Sequence, residues 1–127
     1  MDIRGYQVYK EQSVNTMTQG ELLLLLYDEL VKRLIRCDLA FTKEDYALLD
    51  ASVDRSIEIL RYLDDTLDRK YPISAELSRL YEFFRFELNR VKVGRNKTEL
   101  DHIRPMITEL RDSFRTADKS NAAEQPG

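Results

Sequence analysis

Thr18-Gln19-Gly20-Glu21-Leu22-Leu23-Leu24-Leu25-Leu26-Tyr27-Asp28 is the stretch that decides the fold. Thr18 and Glu21 have the spacing of a capping box. The threonine oxygen accepts from the Glu21 amide while the Glu21 carboxylate reaches back to the Thr18 amide, so a helix begins here. Leu22 to Leu26 are five consecutive leucines, and at about 100° per residue they cover more than a full helical turn. A helix facing one core needs only an apolar stripe. The surplus has to be covered either by the chain's own N-terminal segment or by another protein.

Outward from this run the pattern is helical throughout. Only four Gly and three Pro interrupt the 127 residues, and apolar side chains recur at i, i+3, i+4 and i+7. The first helix should run to about Phe41, followed by a polar turn over Thr42 to Asp45. A second, from about Asp45 to Leu67, carries Tyr46, Leu49, Val53, Ile57, Leu60, Leu63 and Leu67 on one face, and Pro72 forbids its continuation. Ser74 can cap a third that presents Leu77, Leu80, Tyr81, Phe84, Leu88 and Val91 and runs to about Val93, with Gly94 as a left-handed stop. Asn96 with Glu99, or Thr98 with Asp101, can open a fourth, faced by Leu100, Ile103, Ile107, Leu110 and Phe114. Pro105 sits inside that pattern and predicts a kink or a restart. Periodicity is lost from Asp118 to Gly127, which predicts a disordered tail.

Four such helices joined by short turns fold back on one another. The expectation is therefore an all-α chain in which residues 1–17 form a cap or lid segment, residues 18–117 an antiparallel four-helix bundle and residues 118–127 the tail. Charge fits this order, because residues 38–70 hold nine acidic and five basic side chains and residues 71–97 three acidic and six basic, so the second and third helices attract. Each surface pair contributes only a few tenths of a kcal/mol, setting arrangement more than stability, and solvated pairing is the ordinary role for the basic run. Twenty basic against 23 acidic residues leave a net charge of −3, which gives no reason to expect nucleic acid as a partner. No apolar run approaches the roughly 20 residues that span a bilayer, and Met1-Asp2-Ile3-Arg4 lacks the apolar core of a signal peptide. A cytoplasmic protein without membrane insertion is expected.

Residues for covalent chemistry are missing. Glu99-Leu100-Asp101-His102 has the i, i+3 carboxylate and imidazole of di-iron bundles, but such a site needs the motif twice and the chain has one histidine. Cys37 shares a face with Leu30, Leu34 and Phe41, which favours a buried filler over a nucleophile. No phosphate loop, no Ser-His-Asp set and no CxxC occurs. A non-enzymatic protein without metal or cofactor is the expectation. A histidine phosphotransfer module using His102 stays open as an alternative, although Pro105 follows three residues later.

Apolar residues remain once each helix has its stripe. Assigning Leu22, Leu23, Leu26, Leu30, Leu34 and Phe41 to the core leaves Leu24, Val31 and Ile35 about a third of a turn away, with Leu24 and Leu25 the surplus of the leucine run. Leu48, Ile59 and Tyr62 stand opposite or nearly opposite the core face of the second helix, as do Phe83, Phe86 and Val93 on the third. Broad stripes are normal where each helix meets two neighbours, but they account poorly for Ile59, Tyr62, Phe83 and Phe86, which are expected to form one exposed patch of the kind that marks a partner site. Ile3, Tyr6 and Tyr9 recur every three residues in a segment too short, and too interrupted by Gly5, to hold a helix alone. Docked on the surplus leucines it would act as a lid. The expected partner-binding residues are thus Ile3, Tyr6, Tyr9, Leu24, Leu25, Ile59, Tyr62, Phe83 and Phe86.

These residues resemble the FliS family of flagellin-specific secretion chaperones over residues 6 to 115. The likeness rests on Tyr9 with Val14 and Thr16, on Thr18-Gln19-Gly20-Glu21-Leu22, on Leu25-Leu26-Tyr27-Asp28, on Leu67-Asp68, on Leu77 with Leu80-Tyr81, and on Leu110-Arg111 before Phe114. It departs from the family at Thr18-Gln19, where Ser-Pro is usual, at Glu29 in place of Gly, and at Phe114 in place of Trp. The resemblance implies a cytosolic chaperone that binds the C-terminal helical segment of flagellin, prevents premature polymerisation and delivers it to the flagellar type III export gate, without enzymatic activity or cofactor. It further implies that the segment around Tyr6 and Tyr9 occupies the groove when flagellin is absent. A self-associating bundle, as a homodimer, is the remaining alternative.

Overall fold

The computed structural model describes residues 17–124, with side chains to Lys119. Among them are four helices and no strand: α1 (Gln19–Lys43), α2 (Tyr46–Asp65), α3 (Ile73–Gly94) and α4 (Lys97–Glu124). Helix α1 packs on α2 and α4, and α3 packs on the same two, which closes a four-helix bundle. The ion pairs give its direction. Asp28 near the start of α1 meets Arg115 at 3.0 Å near the end of α4, while Asp38 further along α1 meets Arg104 and Lys97, each at 3.4 Å, near the start of α4. The two helices therefore run antiparallel. The acidic α2 and basic α3 are joined by Asp54–Lys92 at 2.8 Å and Asp64–Arg85 at 3.3 Å. Partial burial pushes the Asp64 carboxyl up, but hydrogen bonds from Ser78 at 2.6 Å and from Arg85 prevail and hold it below the usual carboxylate range.

Caps explain where the helices start. Thr18 is extended (φ −68°, ψ 165°) and forms the complete capping box with Glu21. Asp45 accepts from the Leu48 amide at 3.0 Å and Asn96 from the Glu99 amide at 3.1 Å. Helices α1 and α3 end on left-handed residues, but the second stop differs from expectation. Arg95, with φ 49°, takes the left-handed position, and Gly94 stays helical. The Arg95 guanidinium lies 3.7 Å from the centre of the Tyr46 ring, a cation–π contact that helps offset the strain of a non-glycine residue there. Ser74 likewise is not the cap of α3. Pro72 already has helical angles (φ −57°, ψ −34°), so the helix begins immediately after it, and the buried Ser74 hydroxyl donates instead to the Asp68 carbonyl at 2.5 Å, tying down the α2–α3 connection.

Helix α4 also differs from expectation, because it does not restart at Pro105 but runs through it. The proline removes the donor for the Asp101 carbonyl, and both residues are exposed, so water can satisfy that carbonyl. The helix continues past Asp118, where the sequence loses its periodicity, to Glu124. Asp118 lies against Gly20, at the first turn of α1, so closely that a Cβ on Gly20 would collide with its carboxylate. A negative charge at that helix N-terminus is favourable, which gives α4 a reason to persist there.

The core consists of the stripes expected on α2, α3 and α4, including Leu49, Val53, Leu60, Tyr81, Phe84, Leu88, Leu100 and Ile103, together with Cys37. On α1 the core is Tyr27, Leu30, Leu34, Cys37 and Ala40, whereas Leu23 and Leu26 pack against it and Leu22 is only half-buried. Tyr27 is the residue that sequence reading left out. Its hydroxyl bonds the Tyr81 hydroxyl across the bundle, and its ring stacks on Phe114 with centroids 5.2 Å apart. Burial pushes both phenols up from the ordinary value of 10.0, and the neighbouring Tyr81 raises Tyr27 further.

Two consequences can be measured. Tyr27→Phe or Tyr81→Phe alone strands one buried hydroxyl and should lower stability by about 1–3 kcal/mol, whereas the double variant should lose clearly less than the sum in urea unfolding followed by circular dichroism. An additive double variant would mean that the hydroxyls do not act as a pair. Because the native phenols hold their protons above the unfolded value of 10.0, the native state binds more protons in alkali, and stability should be intact below that pH and fall as pH rises past it. The Tyr27→Phe, Tyr81→Phe variant should show a shallower alkaline loss.

Candidate functional site

Burying Tyr27 fixes the rotation of α1. At about 100° per residue, the positions 23, 27, 30, 34, 37 and 41 follow one seam, which turns Leu25 outward and sets Leu24 to one side of it, with Leu22 and Leu26 to the other. The leucine run therefore does not fill the core from all sides. It lines two grooves.

The first groove lies between α1 and α2, has a volume of about 400 Å³ and is lined by Leu22, Leu25, Leu26, Arg55, Glu58, Ile59 and Tyr62. Leu25 remains 40% exposed and Tyr62 49%. Arg55 and Glu58 pair at 2.9 Å on its wall, so the mouth carries a neutralised ion pair around an apolar floor. The second groove lies between α1 and the end of α4, with a volume of about 250 Å³, and is lined by Gly20, Leu23, Leu24, Phe114, Ala117 and Asp118. A side chain at position 20 would push the Asp118 carboxylate aside.

Two expectations about the site need correction. Ile59 is not part of an exposed face but only 4% exposed, because its flank of α2 turns toward α1 and leaves Tyr62 as the accessible member. Nor do Phe83 and Phe86 join Ile59 and Tyr62 in one patch. On α3, Ser78, Arg85 and Lys92 reach α2, whereas Arg90 reaches Glu99 on α4 at 3.6 Å, one helical turn beyond Phe86. The two phenylalanines thus lie on the α4 side of α3 and the outer surface, while Ile59 and Tyr62 lie on the α1 side of α2. Phe86 is 63% exposed and Val93 74%. Leu24 and Leu25 are brought beside the site, in separate grooves; Ile3, Tyr6 and Tyr9 lie outside the described residues.

Residues that sequence reading missed are Leu22 and Leu26, which had been given to the core, the Arg55–Glu58 pair, and Phe114 and Gly20 of the second groove. For Leu22 and Leu26 the signal is the alternating three- and four-residue spacing through Tyr27.

Nothing around His102 favours phosphotransfer. Its Nδ1 is 3.8 Å from the Glu99 carboxylate, and the nearby Arg90 is held by Glu87 at 3.2 Å and by Glu99, so an arriving phosphoryl group would meet acid without a free cation from this cluster. A hydrogen bond with Glu99 raises the pKa of Glu87 and lowers that of Glu99. Burial pushes the Cys37 thiol up to about 12, far from a reactive thiolate. No group of three or more His, Cys, Asp or Glu placed to hold a metal occurs among the described residues, and no helix among them is long and apolar enough to cross a membrane.

The arrangement, a helical bundle with apolar grooves beside the first helix, agrees with what comparison with known proteins finds. A family model described as "Flagellar protein FliS" matches residues 2–121. The "Flagellar secretion chaperone FliS" of Bacillus subtilis (strain 168) is 26% identical over 122 residues, covering 96% of this chain and 92% of that protein. With the family match spanning nearly the whole sequence, this chain belongs to the FliS family of flagellar proteins.

Proposed function

We propose that this protein is a flagellar secretion chaperone that binds the C-terminal helical segment of flagellin, keeps it from polymerising before export and delivers it to the flagellar export gate. The observation that carries this reading is the groove of Leu22, Leu25, Leu26, Ile59 and Tyr62, an apolar channel on the surface of a chain of this family. An amphipathic helix laid there buries its own apolar face and covers Leu25 and Tyr62. Fully burying a leucine contributes about 1.5–3 kcal/mol, so a few such contacts can hold a segment even after the ordering of a previously disordered client is subtracted. Binding of that kind is reversible, as delivery requires.

The lid is part of the same proposal. The first turn of α1 lies beside both grooves, and Ile3, Tyr6 and Tyr9, earlier in the sequence, supply apolar side chains that could occupy one of them when no client is present. Lid and client then compete for one surface. Phe83 and Phe86, on the far side of the bundle, fall outside it.

Calorimetry with the C-terminal segment of the flagellin from the same cell tests the placement. Leu25→Asp combined with Tyr62→Asp should keep the helical circular dichroism and weaken binding at least tenfold, about 1.4 kcal/mol. Unchanged affinity in a folded variant would remove the α1–α2 groove from the mechanism. Deleting residues 1–16 should strengthen client binding, because nothing then has to be displaced; weaker binding would show that the segment holds the client instead of excluding it.

A further inference from the structure

The outer face of α1 continues beyond the leucine run, and its second half carries charge that the bundle does not use. At about 100° per residue, Leu25, Lys32, Arg36 and Lys43 fall within about 20° of one line along the helix, with Leu39 and then Ile35 beside it toward α4. All six are exposed. The stripe is about 27 Å long at 1.5 Å per residue, and it begins at Leu25, on the wall of the α1–α2 groove. Lys32, Arg36 and Lys43 make no ion pair among the described residues. The carboxylates nearest to them on α1 are already engaged: Glu29 by Arg33 at 2.8 Å, Asp28 by Arg115 at 3.0 Å, and Asp38 by Arg104 and Lys97, each at 3.4 Å. Three cations thus stand in line without partners, on a chain whose net charge is −3.

Exposed leucine and isoleucine beside unpaired cations suit an occupant that is apolar on one face and acidic along its edge. Carboxylates limit how wide that occupant can be. Glu58 borders the stripe on the α2 side, and Asp101, Glu109 and Asp112 line the outer face of α4, whose Arg104 reaches Asp38 on α1. A broad anionic plane, such as a lipid surface, would be repelled by those borders, whereas a single helix about 10–12 Å across touches the stripe alone. We infer that the client segment does not end in the α1–α2 groove but continues along the outer face of α1 as an acidic amphipathic helix. Its apolar side chains lie on Ile35 and Leu39, and its carboxylates reach Lys32, Arg36 and Lys43. Resting on the client reading, this extension adds a chemical class to it: the groove selects apolar residues and the stripe selects acid. Complementary charge of this kind steers the encounter and fixes the register of the bound helix, so binding should strengthen at low ionic strength.

Calorimetry with the C-terminal segment of the flagellin from the same cell tests it, at low salt and at about 1 M, where charges are screened beyond about 3 Å. Lys32→Glu combined with Arg36→Glu and Lys43→Glu should keep the helical circular dichroism and weaken binding at least tenfold at low salt, and the deficit should largely vanish at high salt. Lys32→Gln with Arg36→Gln and Lys43→Gln, which adds no repulsion between positions 32 and 36, should shift affinity the same way by a smaller factor. Ile35→Asp with Leu39→Asp should weaken binding at both salt concentrations. Wild-type affinity in the triple variants or in the Ile35→Asp, Leu39→Asp variant, while Leu25→Asp with Tyr62→Asp still weakens binding, overturns the stripe and leaves the groove standing. A triple-variant deficit as large at high salt as at low salt overturns it too, because charge would not be its cause. A wild-type chain that binds no segment at either salt concentration overturns the client reading and the stripe together. Sedimentation with phosphatidylglycerol vesicles covers the other anionic surface: retention that the triple variants lose, with their client affinity unchanged, would assign the stripe to lipid and overturn the inference.

Discussion

A tyrosine hydroxyl in the middle of an apolar bundle must find a partner, and Tyr27 finds it in Tyr81. That single bond links α1 to α3, which otherwise pack mainly on α2 and α4, and with Phe114 stacked on the same ring it brings α4 to the same point. An unpaired buried hydroxyl is costly enough that α1 cannot rotate or slide to bury more leucine without breaking the pair. The rotation of α1 follows, and with it the fate of the five leucines. Leu23 faces inward, Leu25 faces outward, and Leu22, Leu24 and Leu26 flank the seam.

Much of the fold was legible because it is written in periodicity and caps. The Thr18–Glu21 box, the stripe through Leu49, Val53, Leu60 and Leu63, and the Asn96 cap all act locally, within one helical turn of the residues that signal them. The misreadings share a different cause. Residue type points to Ser74 as a cap and Gly94 as a stop, yet Pro72 and Arg95 hold those positions, the latter helped by a tyrosine about fifty residues earlier. Asp118 reads as the start of a tail because Gly20, against which it lies, is near the other end of the chain. Each of these depends on a contact between distant segments, which no local pattern contains.

The candidate site was half legible for the same reason. Wheel arithmetic found the leftover apolar residues but measured each helix against its own stripe, and could not say toward which neighbour a leftover side chain turns. Ion pairs settle that: Asp64 and Asp54 mark the α3 side of α2, so Ile59 and Tyr62, on the opposite flank, belong to α1. What read as one patch divides into a groove beside the leucine run and a separate face on α3.

The rotation fixed by Tyr27 places the proposed client surface along the first half of α1 and the second half of α2. Hydrogen exchange read by mass spectrometry, with and without the C-terminal flagellin segment, tests it most directly. New protection is expected in peptides covering residues 19–26 and 55–62, with residues 79–93 unchanged. Protection confined to residues 79–93, with the leucine run exchanging as in the free protein, would contradict it.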